Sequence, residues 1–429
     1  MKLTRYQIFA VAVLAFLQFT IILDFMILSP LGAMLLKELH VATSQFGLVV
    51  SVYAFSAGAS GLLTAGFADK FDRKKLLLFY YTGFILGTAS CGLANDYHSL
   101  LGARVITGLF GGVIGSISMA ITADLFPLEM RGRVMGVIQT AFAASQVLGL
   151  PVGLYLSTRW GWHAPFLMIA GIGGAVGVVM ALGLKPIDAH LKVKSDRSAF
   201  QHLIKTVSRP AYLRGYAATV FLATGGFMLM PFGSTFTVNN LGISIEKLPV
   251  IYLVTGVCSI IAGPLIGRLS DSAGKYTVFV LGTGLSISMV FIYCHLGVTP
   301  LWAVILVSVL LFIGISARMI STSALISAVP DMKDRGAFMS VNSSLQQFAG
   351  GIAAGLAGLI VVQTESGKLN HYELLGYVVI TAMAITLVLM YSIHKMVGDK
   401  AASTPATPVN PSTEPNPRPT DQELKPSQA

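Results

Sequence analysis

Twelve apolar stretches, each long enough to cross a bilayer, limit what this chain can fold into. A helical crossing takes about 20 mostly apolar residues. The stretches cover residues 8–36, 45–67, 75–94, 99–125, 134–156 and 165–184, then 213–238, 248–269, 276–296, 301–329, 338–362 and 372–394. In lipid the backbone must satisfy its own hydrogen bonds, which leaves helices and closed barrels. A barrel strand reads as about ten residues of alternating character, unlike these unbroken runs. Composition agrees: 54% of the 429 residues are apolar and only 11% are charged, too few polar groups to cover a soluble fold. The expected fold is all-α and integral to the membrane, with twelve transmembrane helices. The first stretch is too long, and at Asp24 too polar, for a cleaved signal peptide.

The formal net charge of +10 suggests an acidic partner until its positions are sorted. With the N-terminus inside, 23 of the 29 basic residues fall on cytoplasmic segments and 4 on outer loops, and Arg104 and Arg318 lie within spans. Lysine and arginine gather on the cytoplasmic side of membrane proteins, so both termini are expected inside the cell (inner) membrane. A basic face on a soluble domain, which nucleic-acid binding requires, does not occur. Hydrophobicity drops between Lys185 and Arg214. The reading is an N-terminal six-helix bundle at 1–184, a cytoplasmic linker at 185–212, a C-terminal bundle at 213–398 and a disordered tail at 399–429, rich in Pro, Ser and Thr. Cys91, Cys258 and Cys294 are too scattered for a disulfide framework or a metal site.

The halves repeat. Asp69 and Arg73 recur as Asp271 and Lys275 at an offset of 202, and Arg131-Gly132 recurs as Arg335-Gly336 at 204. Parallel repeats of this kind place a substrate cavity between the halves near the midplane. Gly267-Arg268-Leu269-Ser270-Asp271-Ser272-Ala273-Gly274-Lys275 matches the pattern G-x-L-x-D-R-x-G-R-K, and the first copy keeps Asp69, Arg73 and Lys74. Arg104 and Gly108 form R-x-x-x-G. Gly149-Leu150-Pro151-Val152-Gly153 is similar to the antiporter element G-P-x-x-G-G with one inserted Leu. Trp162-His163-Ala164-Pro165-Phe166 is similar to W-R-x-x-F. On these elements the chain resembles the major facilitator superfamily over about residues 5–396, closest to its twelve-span drug/proton antiporter and arabinose-efflux-like branch. The resemblance implies two pseudo-symmetric six-helix bundles and alternating access. It also implies a charge cluster of Asp69, Arg73 and Asp124 that latches the halves, with Asp271 and Lys275 as its second copy, and it links Arg104 to proton transfer.

Charges deep in lipid are costly and are usually kept for a task. Asp24 is the one deep acid, and its expected task is proton coupling; the other reading is a structural acid paired to a neighbouring helix. Arg104 either modulates Asp24 or snorkels outward. Arg318 binds an anionic group of the substrate, or holds Asp24 or a backbone carbonyl. Gln18, Gln139, Gln146, Asn342 and Gln346 are candidate cavity-lining, substrate-binding groups. Met228 and Met230 beside Pro231 give span 7 an adaptable wall with a kink. No H-E-x-x-H, G-x-S-x-G or G-x-x-x-x-G-K-[ST] occurs, so neither an enzyme nor an ATP-driven pump is expected. No cofactor or metal is called for. The expected partners are a small-molecule substrate, protons and the bilayer, with the chain acting as a monomer. The leading functional reading is proton-coupled efflux of a small molecule. The alternatives are proton-coupled uptake of a small organic anion through Arg318, and a non-transporting membrane sensor.

Overall fold

The computed structural model describes residues 4–65, 68–188, 191, 206–331 and 334–403. Much of the expected linker and most of the expected tail lie outside the described residues. Among the described residues there are twelve long helices. In chain order, spans 1 to 4 are Arg5–Ile27, Thr43–Ala65, Arg73–Gly92 and Tyr97–Leu125. Span 5 joins Leu128–Ala144 to Leu150–Trp160 through a π-helical turn at Ser145–Gly149, and span 6 is His163–Gly183. Span 7 is Pro210–Phe227 with a short helix Gly233–Asn239 beyond it. Spans 8 to 12 are Leu248–Ala273, Lys275–His295, Leu301–Ser327, Arg335–Ile360 and Tyr372–Ser403. Ten of these are long and apolar enough, taken alone, to cross a membrane. Spans 3 and 11 carry more polar groups, Arg73, Lys74 and Lys75 in one and Asn342, Gln346 and Gln347 in the other. Both pack among the other ten, where a polar helix is tolerated in lipid.

Local chemistry sets the helix starts. Thr4 and Gln7 close a capping box on span 1. Asp72 accepts from the backbone nitrogens of Lys74 and Lys75 to open span 3, and Asp96 accepts from His98 and Ser99 to open span 4. Small residues then set the packing. A Cβ on Gly108 would lie 2.4 Å from the Tyr53 carbonyl oxygen, and one on Gly112 would lie 2.5 Å from the Ala57 Cα. Spans 2 and 4 therefore touch backbone to backbone, the contact that holds helices together where no hydrophobic drive exists between them.

The packing repeats between halves. Span 1 packs on spans 5 and 6, span 2 on span 4, and span 3 on spans 4 and 6. In the second half span 7 packs on spans 11 and 12, span 8 on span 10, and span 9 on spans 10 and 12. The halves meet where span 2 lies on span 11 and span 5 on span 8, two seams that exchange under the same six-helix shift. This is an all-α membrane fold of two pseudo-symmetric bundles.

Two expected spans are broken. The stretch 8–36 stops being one helix at Ile27, turns through Ser29-Pro30, and resumes as Gly32–Glu38. The stretch 213–238 stops at Phe227 and resumes at Gly233 after a turn containing Pro231. Proline lacks the N–H that an uninterrupted helix needs. Both breaks lie at the end of the bundle away from the basic loops, called here the far face, and they touch. The Ser29 hydroxyl donates to the Met230 carbonyl, and the Ser234 hydroxyl donates to the Ser29 carbonyl at 2.7 Å. Phe25 meets Phe227 at 5.6 Å and Phe46 meets Phe232 at 5.7 Å between ring centroids. Thr43 and Ser51 of span 2 donate to the carbonyls of Val361 and Gly351, at 2.6 and 2.8 Å. A void of about 10 Å³ lies at this junction between Phe25, Ser29, Val50, Phe227, Met230 and Pro231, no more than one water needs. The far face is closed.

An antiparallel hairpin, Val362–Gln363 with Leu369–Asn370, joins spans 11 and 12 on that face. Asn239 donates to the Gly367 carbonyl at 2.7 Å, while Asn240 both donates to the Leu369 carbonyl and accepts from its nitrogen, each at 2.9 Å. The hairpin is thereby tied to the end of the short helix after span 7.

Candidate functional site

Asp24 lies in the last turn of span 1, and none of it reaches solvent. Its Oδ2 accepts from Arg104 Nη1 of span 4 at 2.8 Å, and its Oδ1 accepts from the Thr88 hydroxyl of span 3 at 3.1 Å. Arg104 is 1% exposed, so it does not snorkel outward; the carboxylate holds it inside. Its guanidinium carbon sits 4.4 Å from the centroid of the Tyr53 ring of span 2, a cation–π contact in a dry setting. Four spans of the first half thus converge on one ion pair. Gly108, one turn after Arg104, admits the Tyr53 backbone and so positions that ring. Phe25, next to Asp24, packs on Tyr53 at 5.4 Å and on Phe227 of the other half. The ion pair is one side chain away from the junction between halves.

Span 5 completes the surroundings. A Cβ on Gly149 would lie 2.6 Å from Leu23 Cδ1, and one on Gly153 would lie 2.8 Å from Ile27 Cδ1. These glycines press span 5 against the turns of span 1 that flank Asp24. A π-helical turn at Ser145–Gly149 lies immediately before Leu150. Such a turn takes up one extra residue and leaves the remaining helix in phase.

Arg318 of span 10 is in the second half, 3% exposed, and does not hold Asp24. Its guanidinium carbon is 5.9 Å from the Phe279 ring centroid. Its Nε and Nη2 have no hydrogen-bond partner, and no ion pair to it is found among the described residues. Ser321 and Thr322, one turn along the same helix, also have buried hydroxyls without partners.

The remaining candidates divide. Asn342 accepts from the Thr219 hydroxyl at 2.7 Å, which ties span 11 to span 7. Gln18 points toward Gly115 of span 4 with its Oε1 unbonded. Gln146 is buried in the π-helical turn, and Gln346 is half-buried in span 11. The side chains of Gln139 and Asp69 lie outside the described residues. Arg73 Nε is 3.4 Å from Asp124 Oδ2, and its Nη1 donates to the Ala68 carbonyl. This contact joins spans 3 and 4 within the first half, rather than one half to the other. Asp271 and Lys275 are exposed and form no ion pair among the described residues.

One charged cluster was missed in the sequence. Arg209, just before span 7, donates to Asp334 at 2.6 Å and to Asp331 at 3.3 Å, and the Tyr212 hydroxyl donates to Asp334 at 2.8 Å. Its bond to the Tyr212 hydroxyl, with the carboxylates next, holds the Arg209 guanidinium above its ordinary pKa. Arg209 is one of the basic residues that the cytoplasmic excess absorbs, so its charge alone does not reveal the cluster. The Asp-x-x-Asp spacing of the 331–334 loop was the available signal. A groove of about 380 Å³ opens beside this cluster, between Arg209, Tyr212, Asp331 and Met396.

With this geometry in hand, known proteins can be compared. The family model described as Major Facilitator Superfamily matches residues 14–354 and 215–427. A Bacillus subtilis (strain 168) protein, "Uncharacterized MFS-type transporter YceJ", is 27% identical over 269 residues, 62% of this chain and 67% of that protein. Among solved structures, a bacterial homolog of the human lysosomal transporter Spinster, inward-facing and unoccupied, superposes with a TM-score of 0.68 at 15% identity. That match covers 94% of this chain and 100% of the other. The nucleoside transporter NupG gives a TM-score of 0.72 at 12% identity, covering 90% and 98%.

Proposed function

This chain belongs to the major facilitator superfamily, and on that premise we propose that it couples proton entry to the efflux of a small molecule. As a family member it is a multi-pass membrane protein and a secondary transporter of a small-molecule substrate, not an enzyme. The coupling role rests on one observation, the buried pair of Asp24 and Arg104. A carboxylate in lipid that has a cation and one hydroxyl as its partners can release either a proton or the arginine. Protonating Asp24 removes its charge, leaves Arg104 cationic without its counter-ion and frees it against Tyr53, one side chain from the junction with the other half. Loading a proton thereby changes which closed state is favoured, and a few kcal/mol of difference decides the population.

Antiport as the direction is supported by the span 5 element. Gly149 and Gly153 keep their packing on span 1 despite the inserted Leu150. The basic loops support a cytoplasmic linker and both termini inside the inner membrane, with bundles at 1–184 and 213–398. Under that orientation the closed far face is the outer one.

Asp24→Asn tests the coupling. In proteoliposomes the variant is expected to keep solute exchange at equal pH and to lose accumulation driven by an imposed pH gradient. Accumulation at the wild-type level would remove Asp24 from the coupling, and solute moving with the proton rather than against it would reverse the direction.

A further inference from the structure

The two halves treat their buried cations differently. In the first half Arg104 is neutralised by Asp24. In the second half Arg318 is as deeply buried and has no acid. None can reach it from the helices around it. Spans 7, 9 and 10 contain no Asp or Glu, span 8 has only Asp271 near its end, and span 12 has only Glu373 and Asp399 near its ends. An unpartnered buried charge is among the most costly groups a protein can carry, so its retention calls for a ligand.

The free atoms identify the ligand chemistry. Nε and Nη2 form one edge of the guanidinium, the edge that presents two parallel N–H groups to a planar oxoanion. One turn further along the same helix, the hydroxyls of Ser321 and Thr322 are likewise buried without partners. Buried hydroxyls on neighbouring spans bond back to their own helix, as Thr283 does to Phe279 at 2.7 Å, Ser286 to Gly282 at 2.8 Å and Thr386 to Ala382 at 2.7 Å. Ser321 and Thr322 do not, and so both remain available.

The repeat also leaves room. Phe25-Met26 recurs as Phe227-Met228, which sets Asp24 against Gly226. A Cβ at Gly226 would meet no atom within 4 Å, and Gly226 is exposed. A Cβ at the adjacent Gly225 would lie 3.9 Å from Arg318 Nη1 and 3.8 Å from Met383 Cγ. Where the first half projects its own carboxylate, the second half has two glycines, of which the buried Gly225 leaves the Arg318 guanidinium uncovered by any side chain of its own.

We propose that Arg318, with Ser321 and Thr322, binds the carboxylate of an apolar organic monoanion that this transporter carries, across the side-chain-free wall of Gly225 and Gly226. One cation with no second base nearby matches a single negative charge, and Phe279 and Met383 suit an apolar body. The proposal rests on the transporter reading but not on proton coupling.

The test is binding to the purified full chain in detergent, with no gradient, by thermal shift and equilibrium dialysis. The probes are benzoate and octanoate, each against its neutral amide, with sulfate as the inorganic control. Wild type is expected to bind at least one carboxylate at least tenfold more tightly than its amide and than sulfate. Arg318→Gln is expected to weaken that binding at least tenfold, and so is Gly225→Val, which leaves the arginine in place and covers it. Gly102→Ala, whose added Cβ meets nothing within 4 Å, is expected to bind as wild type does, and because binding in detergent needs no gradient a failure of proton coupling leaves this readout untouched. Equal affinity for amide and carboxylate overturns the proposal, as does unchanged binding in folded Arg318→Gln or Gly225→Val. Failure of both carboxylates to bind wild type overturns it too.

Discussion

Replacing Gly47 by alanine adds one methyl group at a backbone-to-backbone contact in the seam between spans 2 and 11. Its Cβ would lie 2.8 Å from the Ala354 carbonyl oxygen and 3.1 Å from the Gly358 Cα. Ordinary contact begins at 3.4 Å, so the helices must separate by about 0.6 Å. Neither neighbour is a flexible side chain that can turn aside. Overpacking of this size costs about 1–3 kcal/mol. The strain falls on the state whose far face is closed, because only that state presses these backbones together. A differential cost of about 1–3 kcal/mol moves a two-state equilibrium by about 5- to 150-fold. The assay is a pulsed electron resonance distance between spin labels at Asn95 and Glu365, exposed far-face residues of opposite halves, with Cys258 replaced by Ser. Gly47→Ala is expected to move the distribution toward longer distances. Gly102→Ala, whose Cβ meets nothing within 4 Å, is expected to leave it alone. An unchanged distribution in folded Gly47→Ala would refute the seam as a gate.

Other outcomes are expected elsewhere in the molecule. Gly108→Val forces a side chain against the Tyr53 backbone and the Ser56 Cβ, and its thermal midpoint should fall well below that of Gly102→Ala. Deleting Leu150 should convert the π-helical turn to plain helix and retain the fold by circular dichroism, whereas deleting Tyr155 turns everything after it by about 100° and should not. Asp96→Ala removes the cap of span 4. The Ser99 backbone N–H holds the Asp96 carboxyl below its usual pKa, so the cap's contribution is present above about pH 4 and is lost as pH falls through the lowered value. The difference in thermal midpoint between wild type and Asp96→Ala should be full at pH 7 and should close in acid.

Much of this was legible because lipid leaves few options. Apolar length revealed the spans, and R-x-x-x-G together with an acid in span 1 isolated Arg104 and Asp24. Their contact was not legible, since 80 residues separate them and span rotation cannot be read from one chain. The break after Ile27 had a signal in Ser29-Pro30 and in a first stretch too long for one crossing, but apolar residues on both sides concealed it. Arg209 was hidden by the rule that explains most cytoplasmic arginines. The partnerless state of Arg318 is a property of the helices packed around it, and no spacing within span 10 encodes it.

The tie between the hairpin and Asn239 and Asn240 also bears on biosynthesis. Its hydrogen bonds span 128 and 129 residues, and the Thr43 to Val361 bond closes a loop of 318. Contacts so distant in sequence form late. A ribosome that has just released span 7 has made neither the strand that pins its far-face end nor the helix that covers span 2. Both wait until nearly the whole chain has entered the bilayer. Truncation just before the final two helices therefore leaves the earlier ten with the faces of spans 2 and 7 uncovered, a product that quality-control proteases can distinguish from the finished transporter.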